Sequence, residues 1–370
     1  MSPTRIKIPW AKPFLGKLEQ RLVKDALLST WISDGPYVKG FEKEFSKLHN
    51  KEFCITTSNG TSALLLSLLA IDIKPKDEVI VSGFAFMAAA NMVLSLGAKV
   101  VYADIDPQTW CMDVDCIRQK ISTQTKAIIV VHPYGNVCDM SLINKLAKRH
   151  KLYVIEDAAE SVFSLYRKQL AGTLGSIGCF SFQATKTIAM GEGGCVLTAD
   201  KKLQDKMRII RNHGMSPKRH YWHESIGHNF RLTNIQAAIG IAQLKKLNKI
   251  IEAKKRIHAL YRYYLENQKG ILFQIFNKEI SPVVWATGIR LDAKVFGCPR
   301  EKVIEYLLKQ GIETRTGFYP ASTMPFYQAP VLPVAQRISK EVLILPSFPS
   351  LEKKQIKYIC EHLKEIRKIR

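Results

Sequence analysis

The sequence predicts an α/β fold, in which a large domain with a mostly parallel sheet precedes a smaller α+β C-terminal domain. Three observations support this prediction. Short apolar runs alternate with amphipathic stretches up to about residue 200, one long helical pattern follows, and the remainder mixes short strands with helices. Strands that alternate with helices usually form a parallel sheet with both faces covered. We therefore expect a large domain over residues 1–250, whose N-terminal segment could pack on the small domain, and a small domain over residues 251–370.

The order of the elements follows from the positions of these runs. The predicted strands of the large domain span residues 53–57, 78–82, 100–104, 127–132, 153–156, 179–182 and 195–198. The predicted helices between them span residues 61–71, 88–96 and 141–150. Apolar residues at helical spacing predict one long helix over residues 233–265 and later helices over residues 300–310 and 352–369. Ligands bind at the carboxyl ends of parallel strands, so residues that follow a strand are the first candidates for a site.

The chain carries a formal net charge of +23, which raises the question of a nucleic-acid or anionic-membrane partner. Its lysines are dispersed, for example Lys245, Lys246, Lys249, Lys254 and Lys255 along the long helix, and no basic block is interleaved with aromatic residues. We interpret them as solvated helix faces and expect no nucleic acid and no membrane as a partner. No apolar run reaches the ~18 residues that a membrane span needs. The N-terminus lacks the apolar stretch of a signal peptide, so we expect a cytoplasmic protein.

The eight cysteines predict neither a disulfide framework nor a metal centre. None belongs to a Cys-x-x-Cys pair, and most lie inside apolar runs. Cysteines of this kind are usually buried free thiols in a reducing compartment. We therefore expect free thiols and no bound metal.

Two charged residues follow predicted strands and could act on one small molecule. Asp157 directly follows an apolar strand, and Lys186 lies in a loop after a later strand, before a glycine-rich segment. Both would lie at the same edge of the sheet. Pyridoxal 5'-phosphate requires such a pair, because a lysine amine binds its aldehyde and a carboxylate keeps its pyridine nitrogen protonated. Alone, Asp157 could be a helix cap and Lys186 a surface residue, but their combination favours this cofactor.

A phosphate site is predicted where the first strand turns through Gly60 into a helix that begins with Thr61 and Ser62. Free N–H groups and hydroxyls at the start of a helix bind phosphate, although an ordinary helix cap has the same sequence. Ser181 could add a hydroxyl to this site from a neighbouring strand. Phe86 follows another strand, where an aromatic ring could either stack on the pyridine ring or belong to the core.

Five segments of the chain carry motifs that match a known family. They are Ser-Asn-Gly-Thr-Ser-Ala-Leu (58–64), Glu-Asp-Ala-Ala-Glu (156–160), Phe-Ser-Phe…Thr-Lys (180–186), Gly-Glu-Gly-Gly (191–194) and Asn-Phe-Arg-Leu-Thr-Asn-Ile-Gln-Ala-Ala (229–238). Together they resemble the DegT/DnrJ/EryC1/StrS sugar aminotransferases, and the resemblance covers nearly the whole chain. It implies a fold-type I enzyme that uses pyridoxal phosphate as its cofactor.

The resemblance also implies a role for each motif residue. Lys186 would bond to the cofactor and then move the proton, Asp157 would pair with the pyridine nitrogen, and Glu160 would lie near the ring hydroxyl. Asn229 would reach the cofactor phosphate from a second subunit, so that a homodimer shares its active sites. The other cofactor contacts are those named above, namely the ring contact of Phe86 and the phosphate contacts of Gly60, Thr61, Ser62 and Ser181.

Further segments, at 219–223, 227–231, 312–315, 318–320, 323–325 and 345–349, indicate a substrate. They resemble the family members that convert GDP-4-keto-6-deoxymannose and L-glutamate into GDP-perosamine. Members that act on 3-keto sugars tend to carry an acid where this chain has Thr233, which favours a 4-keto sugar. The segments at 182–185 and 283–288 depart from the pattern of these members, so a dTDP- or UDP-linked 4-keto sugar stays an alternative.

Six residues are candidates for contacts with this substrate. An arginine fork fits the oxygens of a diphosphate, and aromatic side chains could line the pocket of the sugar or the base. Surface ion pairs and core packing are the alternative roles of such residues. The candidates are Arg219, Arg231 and Arg315 for the diphosphate, and Trp222, Phe318 and Tyr319 for the sugar or base.

Three other functions are compatible with parts of the sequence. Some relatives carry histidine in place of the lysine and remove a hydroxyl group, so Lys186 favours transamination over dehydration. A DNA-binding regulator is suggested only by the charge and would need a recognition helix, which is not evident. A catalytically inactive scaffold would not require the pair of Lys186 and Asp157.

Overall fold

The computed structural model describes residues 6–367, so residues 1–5 and 368–370, at the ends of the two predicted domains, lie outside the described part. The helices are α1 (Lys17–Leu28), α2 (Pro36–Leu48), α3 (Gly60–Ala70), α4 (Ala88–Ser95), α5 (Val114–Lys120), α6 (Met140–His150), α7 (Lys201–Arg211), α8 (Asn234–Lys245), α9 (Leu247–Leu265), α10 (Ala293–Phe296), α11 (Arg300–Lys309), α12 (Pro333–Glu341) and α13 (Lys353–Glu365). The strands are β1 (Phe53–Thr57), β2 (Glu78–Ser82), β3 (Lys99–Ala103), β4 (Thr125–Val131), β5 (Tyr153–Asp157), β6 (Leu165–Tyr166), β7 (Gln169–Leu170), β8 (Ile177–Ser181), β9 (Gly194–Thr198), β10 (Ile271–Phe273), β11 (Ile280–Ser281), β12 (Gly288–Leu291), β13 (Arg315–Thr316) and β14 (Val342–Ile344).

A seven-stranded sheet with the order β1-β9-β8-β5-β4-β2-β3 organises the first half of the chain. Neighbouring strands from β8 to β3 are parallel, whereas β9 runs antiparallel to both β1 and β8. Every strand except β9 therefore points in one direction. The carboxyl ends of these strands lie at one edge of the sheet, where the candidate residues of the site follow them.

Alternate residues of the central strands face two different hydrophobic clusters. Val79 and Ile129 join the cluster beneath α3 and α4, while Ile80 and Ile128 join the cluster beneath α2 and α6. Both faces of the sheet are thus buried, which explains why its strands are apolar along their whole length. The predicted α/β class is confirmed, and each predicted strand of this sheet is present with ends that differ by at most two residues.

The prediction of a single helix over residues 233–265 is wrong, because the chain forms two helices that are interrupted at Lys246. The backbone of Lys246 has φ −104° and ψ 9°, which is outside the helical range. Its ammonium group contacts a carboxylate oxygen of Glu19 at 2.5 Å and the carbonyl of Phe14 at 2.7 Å. The apolar periodicity continues across this break, so it could not reveal a kink where a distant segment packs.

The interpretation of the lysines along this pattern as solvated is wrong for Lys254. Its side chain is buried in α9, whereas Lys245, Lys249 and Lys255 are exposed. A neighbouring part of the chain covers this turn of the helix, because the carbonyls of residues 285 and 347 accept hydrogen bonds from the Lys254 ammonium. Sequence spacing alone gives no information about such a cover.

A second sheet, with the order β10-β12-β14-β13, is antiparallel and packs on a separate hydrophobic cluster. Helix α9 contributes to both parts, since Leu247 joins a cluster of the central sheet and Ile257 joins the cluster of the second sheet. Ile8 pairs with Ile312, so the N-terminal segment contacts the second part. A domain boundary near residue 250 stays a prediction.

A three-stranded sheet, β11-β6-β7, joins the two parts of the chain.

Two expectations from composition concern the described residues directly. Within residues 6–367, no helix has both the length and the apolar character needed to cross a membrane. The eight cysteines, all of which lie in this range, are free thiols, and only Cys116 is not buried. The prediction of free thiols is therefore confirmed.

Candidate active site

A cavity of about 830 Å³ opens at the carboxyl edge of the central sheet. The ends of β2, β4, β5 and β8 and the start of α3 surround it, together with the segments around Trp285 and Arg315. It brings together ten of the residues that the sequence predicted for the site. These residues are Gly60, Thr61, Phe86, Asp157, Glu160, Ser181, Lys186, Arg315, Phe318 and Tyr319.

Lys186 lies in the loop that follows β8. The loop folds back on itself, because Gly191 adopts a positive φ of 89° and its carbonyl accepts a hydrogen bond from the Ala184 N–H at 2.9 Å. The Lys186 ammonium nitrogen lies 3.4 Å from Glu160 Oε1 and 3.9 Å from the centre of the Trp285 ring. A carboxylate and an aromatic face thus hold the amine at the wall of the cavity.

Two acids lie close to this lysine. Asp157 ends β5 and accepts a hydrogen bond from the Ala159 N–H at 3.1 Å, while buried Glu160 accepts one from the Tyr134 N–H at 3.0 Å. Burial raises the pKa of both carboxyl groups, and the charge of Lys186 opposes this effect at each of them. A cationic or proton-donating group of a ligand would therefore find a favourable partner here.

The start of α3 forms a cradle for an anion. Asn59 caps the helix by accepting the Ser62 N–H at 2.8 Å, whereas the N–H groups of Gly60 and Thr61 have no acceptor among the described residues. Gly60 is required because a Cβ there would lie 2.7 Å from the Cβ of Ser181. Free N–H groups at a helix N-terminus bind phosphate. Ser62 itself is turned away, since its hydroxyl bonds to that of Ser58 at 2.9 Å and it does not line the cavity.

These groups match the parts of pyridoxal phosphate. The cofactor presents an aldehyde, a ring nitrogen and a phosphate, and it needs an amine, a carboxylate and an anion site around one cavity. Lys186, Asp157 and the start of α3 supply one of each. Among the described residues, no group of acids, histidines and cysteines has the arrangement of a metal site.

Several aromatic residues at the site were not predicted. Tyr134 stacks on Trp285 at 6.0 Å between ring centres and on Phe318 at 5.2 Å, and Trp10 meets Trp285 edge to face at 6.0 Å. Tyr134 lies just beyond the end of β4, as Phe86 lies just beyond β2, and could have been found by the same strand-end argument. No local signal marks Trp10 or Trp285, since only the tertiary fold brings them to the cavity.

The structure separates the predicted substrate residues into two groups. Arg315 lines the cavity, ion-paired with Glu313 at 2.6 Å, and its guanidinium lies 5.5 Å from the centre of the Trp10 ring. Four predicted residues instead lie on the loop over residues 212–233, outside the lining of their own chain's cavity. Three of them are the substrate candidates Arg219, Trp222 and Arg231, and the fourth is Asn229, which was predicted for the cofactor phosphate. Arg219 lies over the ring of Trp222 at 4.3 Å, and Asn229 accepts a hydrogen bond from Arg231 at 3.1 Å.

The close approach of α3 to β8 makes Gly60 sensitive to substitution. We predict that Gly60→Ala lowers the free energy of unfolding by about 1–3 kcal/mol, because the new methyl group would press on Ser181. Gly40→Ala is the matched control, since its Cβ would meet Ile241 at an ordinary 3.7 Å within α2. The Gly40→Ala variant should keep its free energy of unfolding or gain up to about 1 kcal/mol, because alanine favours a helix more than glycine does. Denaturant unfolding measures the free energy of unfolding of both variants. Equal losses of this free energy would contradict the described contact between Gly60 and Ser181.

Comparisons with known proteins agree with this geometry. Residues 13–364 match the DegT/DnrJ/EryC1/StrS aminotransferase family. The chain is 41% identical to the GDP-perosamine synthase of Escherichia coli O157:H7, over 97% of this chain and 98% of that protein. The solved structure of S. venezuelae DesV in complex with a ketimine intermediate has a TM-score of 0.90 at 30% identity, covering 97% of this chain and 99% of that one.

A third relative is a dehydratase. The E coli GDP-4-keto-6-deoxy-D-mannose-3-dehydratase with bound hydrated PLP has a TM-score of 0.90 at 25% identity, covering 97% of this chain and 100% of that one. The predicted fold class and the predicted cofactor, pyridoxal phosphate, are confirmed by these similarities together with the family match. The protein described here belongs to the DegT/DnrJ/EryC1/StrS aminotransferase family.

Proposed function

We propose that this protein transfers the amino group of L-glutamate to the 4-keto carbon of a nucleotide-linked 4-keto-6-deoxysugar. The substrate we favour is GDP-4-keto-6-deoxymannose, and the product is GDP-perosamine. One observation carries the reaction class, namely that Lys186 and Asp157 line one cavity beside an anion cradle. The identity of 41% with a protein named GDP-perosamine synthase supports the choice of substrate.

Pyridoxal phosphate, when bound, supplies a protonated pyridine ring that takes up the electron pair left by removal of a proton beside the amino nitrogen. Asp157 would hold the proton on the ring nitrogen by accepting its hydrogen bond. Its carboxylate accepts one bond from the Ala159 N–H and has no cationic partner within ion-pair distance among residues 6–367. It is therefore available for the charge of the ring.

Lys186 would move the proton. When its amine is neutral, Nζ can remove the α-proton of glutamate and later deliver a proton on the way to the amino sugar. Glu160, at 3.4 Å from Nζ, can stabilise the ammonium form that exists after each removal. Two half-reactions at one amine predict ping-pong kinetics.

The remaining cofactor contacts would fix the ring between these groups. The free N–H groups of Gly60 and Thr61, with the hydroxyl of Ser181, would hold the phosphate. Phe86 is well placed to cover one face of the ring, because it lines the cavity with 68% of its surface exposed. Water would thereby be excluded from the reacting atoms, which strengthens their electrostatic contacts.

The nucleotide sugar would enter over Arg315. This guanidinium lines the cavity together with aromatic Phe318 and Tyr319, so a diphosphate and a sugar could be bound together. The partner subunit's Asn229 would complete the phosphate site in a homodimer. The exposed position of Asn229, outside its own chain's cavity, supports this part of the proposal.

The free cysteines are typical of a reducing compartment, which supports a cytoplasmic enzyme.

Dehydration is the alternative reaction on a similar substrate. The fold does not distinguish the two reactions, because the aminotransferase TlmJ from Streptoalloteichus hindustanus and the dehydratase relative have similar TM-scores of 0.92 and 0.90. The amine of Lys186 favours transfer. It can both bond to the cofactor and return to it after each half-reaction, as an aminotransferase requires.

The roles of Lys186 and Asp157 predict distinct losses. Lys186→Ala should lower turnover by at least roughly 10³-fold and remove the visible absorbance of the covalently bound cofactor. Asp157→Asn should lower turnover by roughly 10²-fold or more and keep the covalent bond, because an amide cannot balance the charge of the ring. Lys249→Ala, on an exposed position of α9, should match the unchanged protein. A Lys186→Ala variant that retains turnover would refute the proposal.

The identity of the substrate is tested with a panel of nucleotide sugars. GDP-, dTDP- and UDP-linked 4-keto-6-deoxysugars are each incubated with nitrogen-15-labelled L-glutamate, and products are read by mass. We expect the GDP-mannose derivative to acquire the label fastest. Turnover of dTDP substrates alone would leave the enzyme class intact and overturn the choice of GDP-perosamine. A product that has lost a hydroxyl and carries no label would instead indicate dehydration.

A further inference from the structure

We propose that Lys254 is a positioning residue, which acts through Trp285 to keep the amine of Lys186 in its reactive place. This inference rests on the proposed role of Lys186 in amino transfer. Three features of the structure carry it: the burial of Lys254 without an acid, its two carbonyl partners, and the contacts that Trp285 makes with Thr185 and with the amine of Lys186.

Lys254 is a lysine in an unusual setting. It lies on α9 with 3% of its surface exposed, and among the described residues no carboxylate lies within ion-pair distance of it. Its Nζ donates instead to the carbonyl of Trp285 at 2.7 Å and to the carbonyl of Ser347 at 2.5 Å. Burying an amine without a counter-charge destabilises the folded protein. If this position served only stability, an apolar side chain would stabilise the fold more than lysine does.

The amine is nevertheless suited to this contact. Burial lowers the pKa of Lys254 to about 7, so a large fraction of the amine is neutral near neutral pH. A neutral amine still has two N–H donors, which is the number of carbonyls that it contacts. Both carbonyls belong to loop segments from different parts of the sequence, and Lys254 ties them to the rigid helix α9.

Trp285 connects this contact to the reactive lysine. Its backbone carbonyl is held by Lys254, its indole Nε1 donates to the carbonyl of Thr185 at 2.7 Å, and its ring lies 3.9 Å from the Lys186 nitrogen. The residue before Lys186 and the amine of Lys186 are therefore both fixed by one tryptophan. Lys254 lies directly behind this loop, since it shares with Thr185 and Lys186 a small cavity of about 10 Å³.

The test is a double-mutant cycle on turnover. Lys254→Met removes the donors and keeps the length of the side chain, while Trp285→Phe keeps the backbone contact and removes the indole donor. We expect kcat to fall roughly 10- to 100-fold in Lys254→Met, with KM for glutamate changed by less than about twofold. The double variant should lose about as much as the worse single variant, because Lys254 acts through Trp285.

Further measurements separate positioning from a general loss of stability. Lys255→Met, the exposed neighbour on α9, should leave kcat unchanged. Lys254→Arg should recover part of the lost turnover, and the visible absorbance of the folded Lys254→Met protein should shift in its pH dependence. If Lys254→Met does not fold, Lys254→Leu, which also removes the donors but with a shorter side chain, takes its place in the cycle.

The outcomes distinguish this inference from the proposed function. Losses that multiply in the double variant, or an absorbance profile identical to that of the unchanged protein, would overturn the role of Lys254 while amino transfer stands. If the unchanged protein transfers no amino group from glutamate to any nucleotide sugar, the proposed function itself fails.

Discussion

The parallel pairing of β4, β5 and β8 determines where the residues of the site lie. Its register places Val131 beside Asp157 and Asp157 beside Cys179, so three strands end together at one edge of the sheet. The loop that follows β8 then returns to this edge with Lys186. An amine and a carboxylate from separate segments thus face one cavity, and the hydrophobic clusters on both faces of the sheet fix their separation.

Burying charged groups at this edge of the sheet is energetically unfavourable, and specific contacts compensate their charge. Glu160 is buried, and the Tyr134 N–H and the ammonium of Lys186 compensate its charge. Burial raises the pKa of Asp157 and Glu160, so the site favours a ligand that brings positive charge or a proton. The helix start at Gly60 offers the opposite preference, for an anion. A ligand with a basic ring nitrogen and a phosphate satisfies both preferences at once.

Local sequence was sufficient to predict the sheet and to bring Asp157, Lys186 and Gly60 to one edge of it. The strands are short apolar runs. Asp157 ends one of them, Lys186 lies in the loop that follows another, and Gly60 begins the helix after a third, so strand-end reasoning identified them. Residues that reach the cavity from distant segments, such as Trp10 and Trp285, carry no local signal.

The two wrong predictions, a single helix over residues 233–265 and a solvated Lys254, have the same physical reason. The break at Lys246 and the burial of Lys254 depend on packing by distant segments, whereas helical periodicity reports only the face of a helix. The N-terminal segment contacts Lys246, and the carbonyls of residues 285 and 347 cover Lys254. The predicted role of Asn229, on the loop over residues 212–233, requires a second chain and stays a prediction, as do the substrate roles of the other candidates on this loop.

Whether Lys186 binds pyridoxal phosphate can be tested by finding which side chain bonds to the cofactor. Reduction of the pyridoxal-phosphate-loaded protein with borohydride makes that bond permanent, and peptide mass mapping then locates the label. We expect a single phosphopyridoxyl group on Lys186, and its loss from that peptide when the lysine is replaced. A label on another lysine, or no label on a protein that still transfers amino groups, would show that Lys186 is not the lysine that binds the cofactor.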